Sequence, residues 1–76
     1  MKIVEIEWVD SCGVVPVWEA RDDLGSMTPI PIVSVGYLWE ITKDFVTISQ
    51  SYSEYSVGHR FTVPRGCIKK IRTVRR

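Results

Sequence analysis

Exported-domain, metal and acid–base chemistry all find little to work with in this chain, which has two cysteines and one histidine among 76 residues. Small exported domains usually rest on a dense disulfide framework. Cys12 and Cys67 alone point instead to small apolar side chains packed without a bridge. No segment approaches the ~20 apolar residues of a membrane-spanning helix. The opening residues MKIVEIE place Glu5 and Glu7 where a secretion signal needs an unbroken apolar stretch. A soluble cytoplasmic protein with no membrane partner is therefore expected. His59 has no nucleophile motif beside it, and Gly25 and Gly36 belong to no phosphate-binding loop. Cys12, Cys67 and His59 are not spaced as zinc ligands. Asp22 and Asp23 lack the further oxygen ligands that calcium or magnesium requires. These absences predict no enzyme activity, no cofactor and no metal.

Acidic residues are absent from residues 55–76, which carry seven bases and so a formal charge of +7. Residues 1–54 hold all nine acids and three bases, for −6, so the net charge of +1 conceals a strong segregation. Clustered positive charge attracts phosphates, nucleic acid or an acidic protein surface. It can equally pair with the chain's own acids or those of a second subunit.

The hydrophobic fraction is 45%, and three Trp, three Tyr and two Phe supply large apolar groups, so a packed core is expected. The whole span 1–76 forms one small domain. A chain this short buries only ~60% of its unfolded surface and commonly gains stability by oligomerising. Alternation predicts strands at Lys2–Val9, Ile32–Ile41 and Phe45–Tyr52. Shorter ones follow at His59–Val63 and Cys67–Val74, the former stopped by Pro64, which cannot donate to a ladder. The three-residue spacing of Ile68, Ile71 and Val74 predicts a 3₁₀ turn over 66–69 leading into the last strand. Pro16, Gly25, Pro29 and Pro31 forbid a long element over 10–31, leaving room for one short helix within 18–24. Val46 and Ile48 should face inward, with Thr47, Ser49 and Ser51 outward.

The expected fold is therefore mainly β. Five short strands with a long first loop, at most one short helix and a tight turn before the last strand resemble a small SH3-like or Sm-like barrel. Val33, Val35, Tyr37, Trp39 and Ile41 lie on one face of the second strand, with Ile32 and Leu38 on the other. Since a barrel strand has one internal face, the second must lie under the 10–31 loop or against another subunit. Val35, Tyr37 and Trp39 are the expected interface of a homo-oligomer.

The segments WVDS (8–11), WE (18–19), SVGYL (34–38), ISQS (48–51) and VPRGCIKKI (63–71) are similar to the recurring skeleton of small accessory proteins of tailed bacteriophages and prophages. That resemblance implies a phage-encoded protein acting in the bacterial cytoplasm by occupancy rather than catalysis, for example sequestering a defence signal or blocking a host enzyme. Two stretches could supply the binding groups. Gln50, Tyr52 and Tyr55 lie in a run rich in hydroxyls and aromatic faces, suited to stacking and hydrogen bonding a nucleobase. His59, Arg60, Arg65 and Lys69 begin the basic segment, Arg65 and Lys69 flanking an exposed turn. Brought together at subunit junctions, the two would take a small anionic nucleotide, as an anti-defence sponge does. The alternatives are a protein–protein inhibitor docking on an acidic host protein, and a nucleic-acid-binding Sm-like module. Against the last stands the acidic first two-thirds, which repels a long phosphate backbone. The bland alternatives are a solvated strand for the polar run, and for the basic end an edge strand protected by charge.

Overall fold

A computed structural model of the chain describes residues 1–11 and 18–75, so Cys12 and Pro16 lie outside the described part. Five strands, β1 (Ile3–Asp10), β2 (Ile30–Ile41), β3 (Phe45–Tyr52), β4 (Val57–Pro64) and β5 (Ile68–Val74), form one sheet in the order β4-β3-β2-β1-β5. Every pairing is antiparallel. The helical content is two single 3₁₀ turns, Arg21–Asp23 and Arg65–Cys67, with no α-helix among the described residues. The mainly β expectation holds, but β4 and β5 do not pair with each other, so the sheet stays open rather than closing into a barrel.

Alternation explains the core. Val4 and Ile6 project from β1 and Val46 and Ile48 from β3 onto one face, where Trp8, Leu38, Ile68 and Ile71 pack against them. Ile6 and Val46 are fully buried. Burying each aliphatic side chain contributes about 1.5–3 kcal/mol. The sheet curls over this inner face. Phe61 of β4 and Trp8 of β1, separated by two strands, bring their rings to 6.4 Å. The Trp8 indole N–H, which would otherwise be an unpaired donor, donates to Ser34 Oγ at 3.0 Å.

The turn between β2 and β3 is fixed by Thr42, whose hydroxyl oxygen accepts from the backbone N–H of Asp44 and Phe45 at 3.1 and 3.0 Å. The Arg65 N–H donates to the Asp44 carbonyl at 2.9 Å, anchoring the second 3₁₀ turn at this end of the sheet.

Two expectations of facing need correction. Register shifts between Leu38 and Glu40, so Trp39 sits at a bulge and Ile41 pairs with Val46 in the inner row instead of staying beside Tyr37. Thr47 and Ser49 do point away from the core, but they are buried, at 5% and 1% exposure. Thr62 hydrogen-bonds Thr47 through the two hydroxyls at 2.7 Å, and the Trp39 indole covers Ser49. β3 is thus enclosed on both faces over 46–49.

The molecule measures 55 × 23 × 23 Å, with a radius of gyration of 16.4 Å. A compact domain of this length would have about 11 Å. The described part of the first connection, residues 18–29, is exposed throughout, and so are Val33 and Val35. That connection therefore does not cover the outer face of β2 there.

Candidate functional site

The register places Arg60, Ser49, Tyr37, Ile3 and Val74 in one row across the outer face, one residue from each strand in sheet order. The aromatic groups gather around its centre. Tyr52 meets Tyr37 edge-on at 4.8 Å between ring centroids and Trp39 edge-on at 5.7 Å. Edge-to-face contacts of this kind hold rings in place while leaving other faces open. The Trp39 indole N–H donates to Ser49 Oγ, which orients the ring. Beside the cluster lies a cleft of about 200 Å³ lined by Ile3, Val35, Gly36, Tyr37 and Gln50. Aromatic faces, one amide and one guanidinium a strand away can stack on a flat ring and hydrogen-bond its polar edge.

The structure gathers Gln50 and Tyr52, expected to bind ligand, with Val35, Tyr37 and Trp39, expected to form an interface. Arg60 joins them through the cross-strand row. The other four expected ligand residues spread along β4 and beyond its ends. Tyr55 stands at the tip of the β3–β4 loop, 90% exposed, in a turn closed by the Ser53 N–H to the Ser56 carbonyl. Arg65 and Lys69 lie at the opposite end, past Pro64. Eight residues of strand separate the two ends by about 23 Å. His59 lies between them at a φ of 54°, a left-handed conformation unusual outside glycine. Within one protomer, the loop tip and the basic turn do not converge.

Part of the positive segment is matched by the chain's own acids. Across the β1–β5 ladder, Arg72 faces Glu5 and Lys70 faces Glu7. Arg72 grips Glu5 with two hydrogen bonds, from Nε to Oε1 and from Nη2 to Oε2, each 3.0 Å. These bonds hold the Glu5 carboxyl below its ordinary range, against a smaller opposing effect of desolvation, and raise the Arg72 guanidinium. A depressed carboxyl stabilises the fold fully above its ordinary value of 4.5 and loses that contribution as pH falls through the depressed value. The melting temperatures of the unaltered protein and Glu5→Gln should therefore differ most near neutrality and converge in acid. The gap should be small and shrink with salt, because the pair is exposed. A gap equally wide at acid pH would show that Glu5 acts through packing rather than charge.

A second cleft, of about 230 Å³, opens at the end of the core and is lined chiefly by Val4, Leu38, Ile41 and Ile71, with Lys2 and Arg72 contributing. Its apolar walls continue the core, and its arginine is already engaged by Glu5. Among the described residues, no group of three or more His, Cys, Asp or Glu converges as metal ligands. No helix among them is long and apolar enough to cross a membrane. Comparison with protein-family models, curated proteins and solved structures finds no match to this chain.

Proposed function

We propose that this is a binding protein without catalytic activity, which sequesters a small anionic nucleotide over the outer-face aromatic cluster. The observation that carries the reading is the convergence of Tyr37, Trp39 and Tyr52 beside the Gln50 cleft, with Arg60 in the same cross-strand row. The base would stack on the aromatic faces, Gln50 would read its edge, and Arg60 would take the phosphate. Arg60 is exposed, so its guanidinium meets an anion without prior burial. The five-stranded antiparallel sheet, with a 3₁₀ turn before the last strand, is compatible with the small SH3-like binding module that this reading supposes. The resemblance to small phage proteins supports a sponge for a bacterial nucleotide signal.

Calorimetry with a panel of cyclic mono- and dinucleotides tests this directly. A ligand from the panel should bind, and Arg60→Glu should weaken it about ten- to hundredfold, the range expected for losing a hydrogen bond to a charged group. Tyr52→Ala should weaken it by a similar factor through lost stacking. Arg65→Glu with Lys69→Glu, at the other end of β4, should leave affinity nearly unchanged. Loss of binding in that double variant alone would move the site to the basic turn. Binding only to oligonucleotides, with affinity falling steeply in salt, would favour the nucleic-acid alternative.

A further inference from the structure

The chain exposes 6322 Å² of surface. A folded monomer of 8.7 kDa exposes about 4,700 Å², so roughly 1,600 Å² is in excess. Part of the exposed surface is apolar and falls on the first connection and the start of β2. Trp18, Leu24 and Met27 on the first connection are exposed at 103%, 59% and 59%. On β2, Ile30, Val33 and Val35 are exposed at 52%, 62% and 53%.

Backbone hydrogen bonding at the same place is incomplete. The Leu38 N–H donates to the Lys2 carbonyl at 2.9 Å, which sets the phase of the β1–β2 ladder. Even-numbered residues of β2 address β1, and Val33 and Val35 turn their N–H and C=O groups away from it. β3 pairs with β2 only from Tyr37 to Ile41. Val33 and Val35 therefore form an open edge among the described residues. Pro31 fits here because its missing N–H falls on that open side. The segment 30–35, IPIVSV, carries no charge, and an apolar edge of this kind is a template for another strand.

We infer that this edge is completed by a second copy of the chain, β2 pairing antiparallel with its own counterpart across a two-fold axis near Val33–Val35. The two-fold makes the match self-consistent, since each edge offers the donors and acceptors that the other lacks. The exposed apolar side chains of the first connection, Trp18, Leu24 and Met27, are further surface that a second copy can cover. The excess of both protomers sets an upper bound of about 3,200 Å² on the buried area, and half of that already reaches the standard size of a stable interface. A foreign peptide added to the edge would cover the strand but leave Trp18 and Met27 in water. The dimer rests on backbone pairing rather than on a bound nucleotide. Val35 also lines the Gln50 cleft, whereas Tyr52, Gln50 and Arg60 lie off this edge, so variants there test the ligand without charging the dimer edge.

Sedimentation equilibrium at micromolar concentration should give twice the chain mass of 8.7 kDa. Val33→Lys with Val35→Lys replaces two exposed side chains and charges the edge. It should raise the dimer dissociation constant by roughly a hundredfold or more while the β circular dichroism signal persists. Hydrogen exchange provides a check free of substitution: the Val33 and Val35 amides should exchange more slowly as concentration rises. A monomer at micromolar concentration overturns the inference. So does a dimer whose Val33 and Val35 amides exchange at the same rate at every concentration.

Discussion

Replacing Gly36 with valine should leave little folded protein, and alanine there should already lower the unfolding free energy by about 1–3 kcal/mol, the usual cost of overpacking a core. A Cβ at Gly36 would stand 2.7 Å from the Ser49 carbonyl oxygen and 3.2 Å from both Cβ and Cδ1 of Ile48. Two of these atoms belong to a side chain, but the closest is backbone in a strand enclosed on both faces. It cannot step aside without pulling β3 off β4. The whole fold of a chain this length is worth only about 4–11 kcal/mol, so valine, with two more carbons at the same point, exceeds what it can absorb. Gly66→Ala is the matched control, because a Cβ there meets nothing within 4 Å. Urea denaturation of the two alanine variants decides the matter. Equal midpoints would mean that β2 and β3 can separate at Gly36 at no cost.

Ile6→Ala should be comparably damaging, at about 2–5 kcal/mol. Ile6 is fully buried in the central row of the inner face, paired with Ser34 on one side and Ile71 on the other. Truncation removes three carbons and leaves a void that neighbours on three strands cannot close together. Ile6→Val, which loses one carbon, should cost about 0.5–1.5 kcal/mol. The ratio of the two losses, read from denaturation midpoints at constant slope, separates a packing defect from a change in the denatured chain. If Ile6→Ala cost no more than the exposed Val33→Ala, the inner face would not be the core.

The parts of this fold that were legible in the sequence are those set by neighbours along the chain. Phe45–Tyr52 alternates between Thr42-Lys43-Asp44 and a polar loop, and β3 has those bounds. The short turn before the last strand was legible from the threefold spacing of Ile68, Ile71 and Val74, and it falls one to two residues earlier, at Arg65–Cys67. Pro31 obscured the start of β2, because proline reads as a breaker unless one knows that its nitrogen faces an empty edge. The bulge at Trp39 has no local signature, so alternation alone puts Ile41 on the wrong face and gives no sign of the cover over Ser49. The Glu5–Arg72 pair did leave a trace: Glu5 and Glu7 share the two-residue spacing of Lys70 and Arg72. Only the knowledge that β1 and β5 are neighbours turns that trace into a contact. Whether the sheet closes depends on its two edges meeting, and alternation within each strand says nothing about that.

The pairing of Ile3 with Val74 has a kinetic meaning. β1 lies between β2 and β5, so the strand made first is flanked on one side by the strand made last. The hairpins β2–β3 and β3–β4 close over three to four residues, within microseconds for elements of this size. The β1–β5 ladder must instead bring together segments some seventy residues apart, and that loop-closure entropy is spent before any of its contacts form. Ile6 and Trp8 reach their full surroundings only at that step, because Ile71 and Ile68 come from β5. The inner face therefore consolidates late. Such non-local topologies fold in milliseconds to seconds, and until β5 docks, β1 presents the sheet with a second open edge.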